Sequence, residues 1–159
     1  MKIMYGIEVL SDQNSVQSFS NTVQSLKQTV NVFDHDDDFI IVFPALYASD
    51  VDPHNSRNIG DTHPLILLEN ETCTSLFSDY GFQTNFFSYL FKDIVSSFYF
   101  TSGKEEEIAM AILQMDDCLL AVEHGVKECY FIDKEYRPFV EKVGKAYDIE
   151  VSFLDLDKL

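Results

Sequence analysis

The last third of the chain constrains its fold most. An alternating run, VKECYFID, is followed by RPFVEKVGKAYD at helical spacing and then by a second strand-like run, EVSFLDL. Pro138 suits the first turn of the helix, where the missing N–H has no partner to lose. Phe139, Val140, Val143 and Tyr147 form its buried stripe. A strand, a helix and a strand joined by short links predict a right-handed crossover with parallel pairing. The class implied is α/β: a mixed sheet layered with helices, closing on this strand–helix–strand unit. The 159 residues suit one globular domain, 1–159, and a hydrophobic content of 46% is enough for a core.

Upstream, Ile3, Tyr5, Ile7 and Val9 alternate and predict a strand over 2–10. Val16, Phe19, Val23, Leu26 and Val30 keep helical spacing, although the many Ser, Asn and Thr residues around them leave an irregular loop as the alternative. Val32-Phe33 and Phe39 to Phe43 read as two strands around an acidic turn. FIIVF is apolar throughout, as a strand buried on both faces is, and Pro44 marks its end or a bulge. Residues 49–64 are polar and read as the longest structureless loop. PLILLEN and TCTSLFS suggest a hairpin turning at Asn70-Glu71. Phe86, Phe87, Leu90, Phe91, Ile94 and Val95 suggest a helix, with a strand at Ser97 to Phe100. Ser102 to Glu105 fits a capping box opening a helix with Ile108, Ala109, Ile112, Leu113 and Met115. A second helix is expected over Cys118 to His124, stopping at Gly125.

Charge excludes several classes of function. The chain carries 27 acidic and 11 basic residues, a formal charge of −16. Direct nucleic-acid binding needs clustered Lys and Arg, and anionic membranes need the same. The first 91 residues hold only Lys2, Lys27 and Arg57 as bases, against 12 acids. Asp34, Asp36, Asp37, Asp38, Asp50 and Asp52 are the candidates for one negative binding face, which speeds encounter with a basic partner. Plain solubility explains the same surplus.

Most reaction motifs are missing. Cys73, Cys118 and Cys129 form no Cys-x-x-Cys pair, their odd number suits a reducing compartment, and Cys118 and Cys129 read as small buried hydrophobes. MKIMYGIEVLSDQ places Gly6 and Glu8 where an export signal is apolar, and no run of about 18 apolar residues occurs. A cytoplasmic location is expected. Asp50, Asp52, His54, Asp61 and His63 combine carboxylate and imidazole, as a divalent metal prefers. Their spacing matches no ligand frame, a solvated loop explains them as well, and no cofactor or metal is expected. His124, read at a helix C-terminus, faces the helix dipole in a structural role. The glutamates of TSGKEEE repel phosphate where a phosphate loop attracts it, and no Gly-x-Ser-x-Gly elbow is present.

The order IMYGIEVLSDQ, TVNVFDHDDDFIIVF, LILLENETCTSLF, FYFTSGKEEEIAMAIL and AVEHGVK resembles the proteasome-like family of N-terminal-nucleophile hydrolases over roughly residues 3–126. Ser11-Asp12 matches the family's early Asp motif. Thr101-Ser102-Gly103 matches the Gly-Ser-Gly that ends a strand and opens an Ala-rich helix. The resemblance implies an αββα layering, with Asp12 and Ser102 as a residual site. The family's nucleophile is a Thr, Ser or Cys freed at the N-terminus, whereas this chain begins Met1-Lys2-Ile3-Met4. Its supporting Lys has no counterpart, Asn31 falling nearest, and its long helical pair has shrunk to 49–64.

Two functions of different class follow. The first is a non-catalytic acidic interaction protein that binds a basic protein partner on a scaffold kept for assembly or binding. Small inhibitor, immunity and phage counter-defence proteins have this size and charge. A homo-oligomer fits the same scaffold. The second is a small proteasome-like hydrolase, or a metal-dependent enzyme using the 50–63 loop.

Overall fold

The computed structural model describes residues 1–10, 32–36, 38–43 and 59–159. In chain order they form β1 (Lys2–Val9), β2 (Val32–His35), β3 (Phe39–Val42), β4 (Ile59–Leu68), β5 (Glu71–Cys73), β6 (Gly81–Gln83), β7 (Ser88–Phe91), β8 (Val95–Ser102), α1 (Glu105–Met115), β9 (Leu119–Glu123), β10 (Cys129–Asp133), α2 (Arg137–Ala146) and β11 (Glu150–Phe153). The expected helix over 11–30 and Pro44 lie outside the described residues.

Two sheets carry the architecture. The first has the order β2-β3-β1-β4-β7-β6 and the second β11-β8-β10-β9-β5. Every ladder among the described residues is antiparallel. Alternation along β4 explains how the first sheet is used. Leu65 and Leu67 face one side with Met4, Ile41 and Tyr89, while Ile66 and Leu68 face the other with Leu90. The first side is concave. Its edge strands β2 and β6 do not pair, yet residues from opposite ends of the strand order meet across it. Phe39 stacks on Phe82 with ring centroids 4.9 Å apart, and Phe33 stacks on Phe87 at 5.1 Å. The sheet curls until side chains close it. Gly81 permits one tight approach in that curl, because a Cβ there would lie 2.0 Å from the Tyr89 carbonyl oxygen.

The convex side packs on the second sheet, where Ile66, Leu68 and Leu90 meet Val95, Leu120, Ala121 and Phe131. The opposite face of the second sheet takes the helices. Phe98, Leu119, Tyr130 and Ile132 pack with Ala111 and Met115 of α1 and with Val140 and Val143 of α2. The result is a layered α/β fold in which strand predominates: curled sheet, second sheet, helix pair. Among the described residues helices cover one outer face only, that of the second sheet.

The terminal strand–helix–strand unit is present, with Pro138 in the first turn of α2 and its expected stripe buried against the second sheet. Its two strands run the same way but do not pair. β8 lies between them, antiparallel to both, with Tyr130 opposite Phe98 and Val151 opposite Phe100. A crossover can skip a strand, and nothing in the local pattern reveals it.

Four further expectations are corrected. Residues 82–95 hold no helix: β7 runs between two turns that join it to β6 and β8, with the bulky residues at 87, 89 and 91 facing the concave core and Leu90 the second sheet; pairs of aromatics at helical spacing also fit alternation broken by a turn. Residues 119–123 are strand β9, apolar on both faces because it is sandwiched. Asn70-Glu71 is no hairpin turn: β4 and β5 belong to different sheets, and the chain crosses between them there. Ser102 ends β8 and does not cap α1. Lys104 is the N-cap; its N–H donates to Glu107 Oε2 at 3.3 Å, and Ile108, Ala111, Ile112 and Met115 face inward while Leu113 is exposed. Gly103 makes that junction, with φ +140° and Ile149 Cγ2 only 2.4 Å from where a Cβ would stand.

All three cysteines are free. Cys118 donates to the Met115 carbonyl at 3.1 Å, and burial pushes its thiol up to about 11. No helix among the described residues is long and apolar enough to cross a membrane.

Phe131 is fully buried between the sheets, so Phe131→Ala lowers unfolding free energy by about 3–5 kcal/mol, measured in urea. Ser97 stands opposite Phe131 in the ladder, and its buried hydroxyl has no hydrogen-bond partner among the described residues. Removing an orphaned hydroxyl relieves its desolvation, so Ser97→Ala raises stability by about 1 kcal/mol in the same assay.

Candidate functional site

One end of the curled sheet gathers acids by register alone. Glu8 on β1 stands opposite Phe39 on β3, and the Val9 N–H donates to the Asp38 carbonyl at 2.8 Å. On the other side of β1, the Asp61 N–H of β4 donates to Glu8 Oε2 at 3.4 Å. Asp36 shapes the β2–β3 turn, its Oδ1 accepting the N–H groups of Asp38 at 2.9 Å and Phe39 at 2.6 Å. That is an Asx turn, for which aspartate suits the local geometry. Asp38 and Asp61 are exposed and Glu8 and Asp36 half-buried. Among the described residues, none of the four pairs with Lys or Arg. The sole described base from the first 91 residues, Lys2, sits at the far end of β1 and pairs with Glu69 at 2.7 Å.

Asp34 belongs to the acidic run by sequence and not by position. It is 8% exposed. The β2–β3 register slips between Val32 and Asp34, a bulge that re-aims the side chain into the concave core. There Oδ2 accepts from Thr84 Oγ1 at 2.6 Å and from Tyr89 Oη at 2.9 Å, and Oδ1 accepts from the His35 N–H at 2.9 Å. Burial, then the hydrogen bond to Asp34, hold the Tyr89 hydroxyl well above the usual tyrosine range. Thr84 Oγ1 in turn accepts the N–H groups of Phe86 at 3.2 Å and Phe87 at 3.1 Å, fixing the β6–β7 turn. Asp34 thus ties β2 to β6 and β7 across the mouth of the curl. As a binding residue it is a correction: a carboxylate spent on buried hydroxyls cannot meet a partner.

Of the other sequence candidates, Asp12, Asp37, Asp50, Asp52 and His54 lie outside the described residues. Asp36 and Asp38 stand at the acidic end. The expected loop 49–64 is strand from residue 59 onward, with Thr62, His63 and Pro64 opposite Ile7, Gly6 and Tyr5. Pro64 precedes the β7 ladder by one residue and still accepts from the Lys92 N–H at 3.0 Å. His63 packs its ring edge-on against Phe39 and Phe91, with centroids 5.8 and 5.7 Å away. No group of three or more His, Cys, Asp or Glu is placed to hold a metal among the described residues. Ser102 is exposed at the end of β8, opposite Glu150. His124 follows a strand and has no helix dipole to face; its ring joins Thr72 and Glu128.

Glu8 is the acid of this end that the sequence reading leaves out; Asp61, read there as a metal candidate in a loop, joins it from β4. The signal for Glu8 is in the sequence, where it breaks an otherwise apolar strand; Asp61 lies within β4, the strand that pairs with β1. No protein-family model, curated protein or solved structure matches this chain.

Asp34→Ala leaves the Tyr89 hydroxyl buried without an acceptor and lowers stability by about 3 kcal/mol in urea unfolding. A tyrosine whose folded pKa is raised contributes stability that is present below its unfolded pKa, about 10, and is lost as pH rises past it. Chemical unfolding of the native chain at rising pH therefore shows a loss of stability above about pH 10 that is shallower in Tyr89→Phe.

Proposed function

We propose that this chain is an acidic interaction protein that docks a basic protein partner on the end of the curled sheet formed by Glu8, Asp36, Asp38 and Asp61. One observation carries the reading: adjacent strands bring four carboxylates together where no described cation answers them. Like charges held together without partners repel, and an incoming cluster of Lys or Arg relieves that repulsion while steering its own approach. The partner is basic protein, in the manner of inhibitor, immunity or counter-defence proteins. The overall charge of −16 disfavours nucleic acid and anionic lipid as direct ligands. Two stacked antiparallel sheets, with a strand that ends at Ser102-Gly103 and leads into a helix, support a degenerate proteasome-like scaffold beneath that end.

The test is retention of proteins from a nuclease-treated extract on the immobilised chain. Basic proteins bind at about 50 mM salt and elute as salt rises toward about 0.5 M, because exposed charge pairs are screened. The combined variant Glu8→Gln, Asp38→Asn, Asp61→Asn keeps the fold, since none of the three side chains is buried, and loses affinity at least about tenfold. Retention that ignores both salt and these substitutions overturns the proposal.

A further inference from the structure

At the opposite end of β4, roughly 25 Å from Asp61 along the strand, three side chains from two neighbouring strands and a turn line up. Thr72 of β5 lies opposite Val122 of β9, two residues short of His124. Asn70 holds the chain there, its carbonyl accepting the His124 N–H at 2.7 Å and its Nδ2 donating to the His124 carbonyl at 3.0 Å. Thr72 Oγ1 is 2.9 Å from His124 Nε2, and His124 Nδ1 is 3.2 Å from Glu128 Oε1. The tautomer follows from the partners. An ionised carboxylate only accepts, so Nδ1 carries the proton, Nε2 is the acceptor, and the Thr72 hydroxyl donates to it. Tyr130 Oη donates to the second carboxylate oxygen at 2.5 Å. That bond, and then the His124 contact, draw the Glu128 carboxyl below its ordinary value against the opposing effect of burial.

The edge strand supplies a further donor. The Thr74 N–H donates to the Leu120 carbonyl at 3.0 Å, and Thr72 holds the equivalent place in the ladder two residues earlier. Alternation therefore points the N–H of Cys73, between them, off the edge of the sheet, where no described strand pairs with it. A cavity of about 270 Å³ opens beside His124, lined by Met1, Glu69, Asn70, Glu123 and Lys127. Its two glutamates are paired, with Met1 and Lys2.

We propose that Thr72, His124 and Glu128 form a hydroxyl–imidazole–carboxylate relay that hydrolyses small uncharged carboxylic esters. Such relays are recognised by geometry and by the order of the three groups, whatever the fold. Thr72 Oγ attacks the ester carbonyl carbon as its proton passes to His124 Nε2, and the Cys73 N–H receives the carbonyl oxygen. The ester C–O bond breaks, and the leaving alcohol takes the proton from Nε2. Water then attacks the acyl-Thr72 carbonyl and gives a proton to Nε2. The carboxylic acid departs, and the proton returns to Thr72. Nothing is oxidised or reduced. Glu128 is a positioning residue that holds the ring and its tautomer. The relay is independent of the acidic end, so either proposal stands without the other.

The probe is p-nitrophenyl acetate, with acid-quenched samples mapped by mass spectrometry. The expected result is acetyl on Thr72, with kcat/KM lowered on the order of 100-fold in both Thr72→Val and His124→Ala. Valine is β-branched and suits an edge strand, so that variant keeps the fold; Thr72→Ser retains turnover. Glu128→Gln lowers kcat with KM unchanged, a split that loss of packing alone does not produce. Folded Thr72→Val that hydrolyses the ester as fast as the native chain, or acetyl found only on lysines or the terminal amine, overturns the proposal.

Discussion

The structure turns on a buried carboxylate with no Lys or Arg beside it among the described residues. Asp34 sits inside a sheet whose edges do not pair, and it spans the gap by accepting hydrogen bonds from Thr84 and Tyr89. A curled sheet left open exposes two strands with unpaired N–H and C=O groups and a half-wetted core. Full closure into a barrel would satisfy both edges with a ladder. This chain closes with side chains instead. The carboxylate bridges the polar gap, and the Phe33–Phe87 and Phe39–Phe82 stacks fill the apolar one. Charge-assisted hydrogen bonds are stronger than neutral ones, so hydroxyls suffice where a salt bridge would need a desolvated cation as well.

Hydroxyl donors serve other acids in the same way, although the inward Glu123 pairs with the Met1 ammonium at 2.8 Å. Tyr80 donates to Asp133 at 2.8 Å, Tyr130 to Glu128 at 2.5 Å and Ser88 to Glu71 at 2.5 Å. A chain with 11 bases for 27 acids lacks the cations to pair them all. Serine, threonine and tyrosine hydroxyls take the role that lysine and arginine fill elsewhere; the Tyr80 hydroxyl is raised first by its bond to Asp133, those of Tyr89 and Tyr130 first by burial and then by their bonds to Asp34 and Glu128. Asp38 and Asp61, with neither a hydroxyl nor a cation beside them among the described residues, stand at the surface.

Legibility in the sequence followed the range of the interactions. Elements whose pattern is local were readable: the alternation of β1, the β2–β3 pair around its acidic turn, and the stripe of α2 behind Pro138. Misreadings arose where burial comes from two sides at once. A strand covered on both faces, such as β9, loses the period that separates it from a helix, and the aromatic run at 82–91 meets two templates equally well. The strand inserted between β10 and β11 is a matter of topology, invisible in a short window. Of the acidic candidates, Asp36 and Asp38 stand in the turn where the sequence puts them. Asp34 was misjudged because one slipped register, unmarked by any glycine or proline, turns it inward.

Curl and charge are separable in this fold. The four carboxylates at the sheet end are neighbours because β3, β1 and β4 are consecutive in one ladder, and backbone hydrogen bonds set that spacing. The closure at Asp34 joins β2 to β6 and β7; of the four acids only Asp36 adjoins those strands, and its own turn bonds to the Asp38 and Phe39 N–H groups hold it. Loss of the closure therefore weakens the concave core without dispersing the acids, whereas neutralising Glu8, Asp38 and Asp61 removes the field without opening the curl. Identical side chains a few positions apart thus serve opposite purposes. Asp34 stabilises the body because its carboxylate is satisfied by hydroxyls, whereas the Asp38 carboxylate stands exposed with no described Lys or Arg beside it.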